Sequence, residues 1–530
     1  MVKPLAPADL RRLLDDGDEI AVLDVREEGV FARDGHLLHA ANLPLSHLEM
    51  RVTALLPRAT VRIVVCDDGG HLAPAAGARL IEMGYSDVSL LCGGVQAWSA
   101  AGYRLYTGVY VPSKAFGEFV LHRDKTPEVT AGELLEWKAA ARDVVIIDSR
   151  PFDEYRRHTI PGAINCPGAE LAYRINRILP TPGSVVVVNC GGRTRSIIGA
   201  QSLINAGIKN PVYALKDGTQ GWHLQGHELA RNAANRAPEP TAEAIAQAQR
   251  AAARVAKRFG VRNLSRPQFD TLRSYAQRTV YVLDVRSPEE FEAGHLPGSR
   301  SAPGGQLVQA TDTYMAVRRS TAVLVDDNGV RATMTAAWLI QMGWDHVFVL
   351  NDALVAGGLE TGVHVDAVPG IDRLSVDTVS ATELHELVRK SGTQVIDLNN
   401  SLGYREGHIP GAWHAMRSRL KISMAAIPGA ETYVFTSPDA LLARFTANDA
   451  LFMTQANVRV LAGGAAAWQA AGYGMETGTA RLTCGDDDLR YRALDTQTNV
   501  EAAIRDYLSW EVDLLKSIES DLDFGFRRFD

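Results

Sequence analysis

Cysteine is scarce in this chain: five among 530 residues, at Cys66, Cys92, Cys166, Cys190 and Cys484. The number is odd, no CxxC pair occurs and no histidine cluster accompanies them. A disulfide framework and a zinc site are therefore not expected, and no metal or organic cofactor is implied. No run approaches the ~18–20 apolar residues of a membrane span, and Met1-Val2-Lys3-Pro4 opens no signal-peptide core, so a cytoplasmic protein is expected. No block of basic residues exists either. With 55 Lys and Arg against 62 Asp and Glu the formal charge is -7, which argues against nucleic acid and anionic lipid as partners. What is present, 46% hydrophobic and 22% charged residues, is ordinary globular composition, long enough for roughly three to five domains.

The chain repeats itself. Asp24-Val25-Arg26 recurs as Asp148-Ser149-Arg150, Asp284-Val285-Arg286 and, weakened, Asp397-Leu398-Asn399; such recurrence marks tandem units. About eleven residues after each Asp stands a turn phrase: Gly35-His36-Leu37, Thr159-Ile160-Pro161-Gly162, Gly294-His295-Leu296-Pro297-Gly298 and Gly407-His408-Ile409-Pro410-Gly411. A closing phrase follows in three copies: Cys92-Gly93-Gly94 before Trp98, Asp217-Gly218 before Trp222, and Gly463-Gly464 before Trp468. The tryptophans read as core anchors. In the third copy Gly357 stands in place of the Trp.

Each unit alternates helices with short apolar runs that barely alternate in polarity. In the second, a helix starts near Thr130, strands run over 144–148, 185–190 and 212–215, and a helix passes through Ile197 to Ala206. This predicts α/β domains, each a mainly parallel sheet flanked by helices on both faces, with the site at the carboxyl ends of the strands. The expected domains are 1–115, 116–232, 261–368 and 369–477. Residues 233–260 read as an Ala-rich helical linker separating two pairs of domains. Residues 478–530 read as a C-terminal tail with an amphipathic helix over 496–520, packed on a domain or dimer surface.

The informative stretch is Val185-Val186-Val187-Val188-Asn189-Cys190-Gly191-Gly192-Arg193-Thr194-Arg195-Ser196. Cys190 falls where strand becomes loop. Two glycines let the backbone curl its N–H groups into an anion nest, a helix start adds its positive end, and two arginines stand by, a setting that suits a reactive anionic sulfur better than an inert buried one. With these phrases the chain resembles the rhodanese (sulfurtransferase) family, as a tandem protein of four rhodanese-like domains over about residues 4 to 477. The resemblance implies that Cys190 takes a sulfane sulfur from thiosulfate or a persulfide donor and passes it to a thiophilic acceptor: cyanide, a thiol or a protein. Gly191, Gly192, Arg193, Thr194, Arg195 and Ser196 would bind substrate, with the arginines attracting an anionic donor, while Asp148 and Arg150 would support the loops. The family has relatives among cysteine phosphatases of the Cdc25 type, but these cradle phosphate with Cys-x5-Arg, whereas Cys190 to Arg195 is Cys-x4-Arg. A non-catalytic binding scaffold is the other alternative.

Not every repeat carries the chemistry. Cys190 precedes Gly207 by 17 residues, and the same count from Gly343 reaches Asp326, which cannot carry a persulfide. The fourth unit, around Thr436-Ser437-Pro438-Asp439, has neither thiol nor glycine nest. In the first, Cys66 ends a strand but leads into Asp67-Asp68, whose charges oppose a thiolate; it is a possible second thiol site, conceivably paired with Cys92. Glu154 stands where some thiosulfate-using relatives have Arg, Thr159 and His158 displace the turn histidine, and Cys166 reads as an inert strand-end cysteine. A homodimer is a possible assembly.

Overall fold

Val144–Asp148 and Val185–Asn189 are almost wholly β-branched or aliphatic, and both are buried along nearly their whole length, the condition of central strands covered on both faces. In this computed structural model, which describes residues 2–275, 277–355, 357–496, 498–521 and 525–529, they pair in parallel at the centre of a five-stranded sheet. Its order is Glu128–Val129, Val212–Leu215, Val185–Asn189, Val144–Asp148, Ile164–Asn165. The sheets of the third and fourth repeats have the same order. They run Arg262–Leu264, His346–Leu350, Thr321–Val325, Val280–Asp284, Arg300–Ser301, and Asp377–Val379, Asn457–Leu461, Thr432–Thr436, Thr393–Asp397, Trp413–His414. In the first repeat Lys3–Leu5, Val88–Leu91, Arg62–Cys66, Ile20–Asp24 and Ala40–Asn42 follow the same parallel scheme. The first helix of the second repeat starts at a complete capping box, Thr130 with Glu133, which satisfies two otherwise orphaned N–H groups.

The recurring phrases turn out to be structural fasteners. Asp148 is fully buried and paired bidentately with Arg150 (Nε–Oδ1 2.9 Å, Nη2–Oδ2 2.7 Å). Arg26 grips Asp24 at 2.9 and 2.6 Å, and Arg286 grips Asp284 at 3.0 and 2.7 Å. Each guanidinium also donates to a carbonyl of the turn phrase: Gly35, His158 and Gly294 respectively. The turns in addition pair antiparallel with the segment after the sheet, through His36 with Tyr106, Thr159 with Ala230, His295 with Glu360 and His408 with Glu476.

The chain forms two compact units. One comprises residues 1–16, 20–109 and 366–491, hence the first and fourth domains; the other comprises 17–19, 110–365 and 492–530, hence the second and third. The expectation that residues 233–260 hold apart a first and a second pair is therefore corrected. The helix there, Ala242–Phe259, starts at Thr241 after Pro238 and Pro240 and buries Ala244, Ala248, Ala251, Ala252, Val255 and Phe259. This stripe of small side chains brings it close against Tyr173, Ala172 and Ala206 of the second domain and Val330, Met334 and Ala337 of the third. It is a packed core element. The tail is also not one element: residues up to 491 belong with the first and fourth domains, and the helix spans Val500–Glu519 in the other unit. Among the described residues no helix is long and apolar enough to cross a membrane.

One position lacks its fastener. Asn399 replaces Arg in the fourth domain, so among the described residues the buried Asp397 carboxylate accepts only the Asn399 N–H, at 2.8 Å, and burial raises its pKa from 3.8 to about 6. Between these values the folded state holds the extra proton, so stability falls as pH rises from about 4 to about 6, and the penalty is fully present above that. Asp397→Asn is expected to stabilise this domain at pH 7.5 by on the order of 2 kcal/mol and to have little effect at pH 4. Urea unfolding of both proteins at the two pH values checks this; a gain independent of pH would show that the carboxylate is not the cause.

Candidate functional site

Strand register places the loops of the four domains on a common frame. Asp148 lies opposite Asn189, Asp24 opposite Cys66, Asp284 opposite Val325 and Asp397 opposite Thr436. The residue that follows in each case opens the loop: Cys190, Asp67, Asp326 and Ser437. Cys66 is therefore not the counterpart of Cys190. It belongs to the strand, packs with Val64 and Leu91 in the core, and burial, followed by the charge of Asp24, pushes its thiol pKa well up. Cys92 is exposed and, like the other four cysteines, unbridged.

In the first and third domains the acid at the loop position turns inward and occupies the nest. Asp67 accepts the N–H groups of Gly69 (2.8 Å) and Ala73 (2.9 Å), and Asp326 accepts those of Gly329 (2.7 Å) and Ala332 (3.1 Å). In the fourth, Ser437 Oγ accepts the N–H of Ala443 at 3.3 Å. The second domain is different. Cys190 is 2% exposed, and its thiol faces Ser196 Oγ at 3.6 Å. Among the described residues the N–H groups of Gly191, Gly192, Arg193, Arg195 and Ser196 have no hydrogen-bond acceptor. That leaves a set of donors at the start of the helix Thr194–Asn205, suited to a negative charge on sulfur.

The loop's carbonyls are fixed from behind. Thr219 N–H donates to Cys190 O at 2.9 Å and Gln220 N–H to Gly191 O at 3.1 Å. This approach requires glycine at 218, whose φ is +54° and where a Cβ would lie 2.4 Å from Cys190 O. The closing phrase is thus the platform that holds the loop, while Trp222 is buried and donates Nε1–H to Glu228 O.

The two loop arginines, expected to attract an anionic donor, already have carboxylate partners. Arg193 is buried and bonds Glu118 (2.6 and 3.1 Å) and Asp217 (2.8 Å), with Glu128 at 3.6 Å. Arg195 bonds Glu154 at 2.9 and 3.1 Å and Gln306 at 3.2 Å. Burial alone would raise the pKa of Glu154, but Arg195 outweighs it and holds the carboxyl well below its ordinary range. Glu154 thus places an anion beside the loop, held there by Arg195. Asp148 and Arg150 remain a buried pair below the loop, with Thr159 Oγ1 donating to Asp148 Oδ2 at 2.6 Å in the role the turn histidine does not take. Cys166 is fully buried, and burial pushes its pKa up.

A residue outside the sequence-based set also reaches the loop. Glu511, on the helix Val500–Glu519, is 0% exposed and accepts both the N–H of Thr194, at 3.2 Å, and its hydroxyl. Lys114 Nζ lies 3.5 Å from the same carboxylate. Burial works to raise the pKa of Glu511, but Lys114 and the hydrogen bonds from Thr194 and Tyr507 outweigh it, so the group is an anion. Glu511 and Tyr507 lie over Gly192, where a Cβ would meet them at 3.1 and 3.0 Å. The signal was present in sequence: Ile504, Leu508, Leu515 and Ile518 make an apolar stripe, and Glu511 falls within it. No group of three or more His, Cys, Asp or Glu able to hold a metal ion occurs among the described residues.

Comparison with known proteins agrees with this architecture. The family model of the rhodanese-like domain matches residues 6–101, 130–225, 269–357 and 380–471. The crystal structure of a thiosulfate sulfurtransferase from Pseudomonas aeruginosa superimposes with a TM-score of 0.95 at 44% identity, covering 100% of both chains. A putative thiosulfate sulfurtransferase, SseB, from Mycobacterium tuberculosis is 29% identical over a match that covers 32% of this chain and 71% of that protein. The HTH-type transcriptional regulator Rv0324 of the same species is 36% identical over 98 residues, 18% of this chain and 42% of the regulator. The chain belongs to the rhodanese family and is a sulfurtransferase built of four rhodanese-like domains.

Proposed function

We propose that the second domain carries the sulfur-transfer chemistry, with Cys190 as nucleophile and sulfur carrier, in a reducing cytoplasmic setting suited to its free thiols. The observation that carries this reading is the contrast between loops. Those of the first and third domains accept their own acid into the nest, whereas that of the second offers N–H groups and a thiol. The Cys190 thiolate attacks the outer sulfur of thiosulfate or of a persulfide; the new S–S bond forms as the donor's S–S bond breaks, and sulfite or a thiolate leaves with the electron pair. A cyanide, thiol or protein thiolate then takes the outer sulfur, and the electron pair of the broken bond returns to Cys190. Loop amides stabilise sulfur's negative charge in both steps. Ser196 Oγ, whose own proton goes to Arg193 O at 2.7 Å, lies 3.6 Å from the sulfur and accepts the S–H of the resting thiol. The first, third and fourth domains serve as packing and docking modules, and Asp148 with Arg150 holds the strand end in place.

Cys190→Ser is expected to lower thiosulfate:cyanide sulfur transfer by at least about a thousandfold, as removal of a covalent nucleophile does. Cys66→Ala, which alters a core position of the first domain, should keep at least about half of the activity. Steady-state thiocyanate formation by the purified variants checks both; comparable losses would remove the assignment to the second domain.

The four residues between Cys190 and Arg195 make a cradle sized for a single sulfur. Wild-type protein is accordingly expected to hydrolyse aryl phosphates no faster than Cys190→Ser. Turnover of p-nitrophenyl phosphate that depends on Cys190 would overturn the size argument.

A further inference from the structure

Substrate charge is the open property of this site, and the groups around the loop bear on it directly. A cradle built for a dianion is expected to present uncompensated cations. Here Arg193 faces Glu118, Glu128 and Asp217, Arg195 faces Glu154, and Lys114 faces Glu511. Arg492 also pairs with Glu154, at 3.3 Å, so five carboxylates meet four cations. Four of the five act on arginines, where they also fix side-chain positions. Glu511 alone bonds the loop's own backbone, through the N–H of Thr194, the residue that opens the helix behind Cys190. It takes one member of the donor set that would otherwise face an anionic ligand, and it adds a buried negative charge beside the rest.

We propose that Glu511 is a specificity-determining residue of the Cys190 site: carried in by the C-terminal helix, its carboxylate disfavours dianionic sulfur donors relative to neutral or singly charged ones, so that persulfides are preferred over thiosulfate. The inference rests on Cys190 being the nucleophile, but not on which acceptor is used. Glu511 touches Thr194 and acts on the substrate through its field, not by contact. The geometry gives the effect a direction: a neutral side chain at 511 that still accepts the Thr194 N–H preserves the loop and lifts the repulsion.

The test is Glu511→Gln in the full chain, read by two measurements. In the first, the thiol of Cys190 is alkylated with iodoacetate, an anion, and with the nearly isosteric neutral iodoacetamide, and the site is followed by mass spectrometry. The ratio of the two rates is expected to rise about fivefold at low salt and by less at 0.5 M NaCl, as one charge removed at short range through a partly wet protein predicts. In the second, KM for thiosulfate should fall by a similar factor while kcat changes little. Glu511→Ala separates charge from support. If the carboxylate merely props the loop, Ala slows both reagents alike and Gln leaves the ratio at its wild-type value, and that outcome overturns the proposal. An unchanged thiosulfate KM in Gln overturns it as well. Because the alkylation ratio reports on the field at Cys190 whether or not the residue turns over, it is distinguishable from failure of the catalytic assignment, which would appear as sulfur transfer surviving in Cys190→Ser.

Discussion

Behind each central strand the backbone turns into a helix whose first N–H groups have no partner within the helix, and buried donors of this kind need a negative or polar partner. That requirement organises all four domains. Asp67 and Asp326 meet it with a carboxylate and Ser437 with a hydroxyl, whereas in the second domain the N–H groups beside Cys190 have no acceptor among the described residues and stand ready for a charge on sulfur. The repeats without a thiol at the loop position therefore fill the nest with a side chain of their own. An acid at the same position is the substitution that satisfies the amides while ending covalent chemistry, since a carboxylate offers charge and lone pairs but no transferable sulfur.

The same economy of buried charge governs the strand ends. Asp24, Asp148 and Asp284 are fully buried carboxylates, tolerable because each is clasped by an arginine that also ties down the neighbouring turn. Asp397, with asparagine in the arginine's place, has the Asn399 N–H alone to oppose burial, which pushes its carboxyl toward the neutral form; burial also raises the clasped Asp24.

Much of this was legible in sequence. The β-branched runs before Asp148 and Cys190 could be little other than central parallel strands, and Gly-Gly-Arg after a strand-end cysteine marks a nest by backbone chemistry alone. Counting also held the answer for the first domain: Asp67, not Cys66, stands 17 residues before Gly84, as Cys190 does before Gly207. The partners of the loop residues were out of reach, because Glu118 lies 75 residues from Arg193 and Glu511 lies 317 from Thr194, and no local pattern links such distances. The division into units was equally hidden. An alanine-rich stretch after two prolines has the composition of a spacer, and only the faces it meets turn it into core.

The C-terminal helix has a consequence for the order in which this protein comes into being. Domains emerging from the ribosome fold largely from the N-terminus onward, so the sheet bearing Cys190 is complete some 300 residues before the segment that supplies Glu511 has been made. Throughout that interval Thr194 lacks the carboxylate that bonds its N–H and hydroxyl in the finished chain. A molecule clipped or terminated after residue 499 would keep every rhodanese-like domain the family model matches, yet its sulfur site would be that of the nascent protein rather than the mature one.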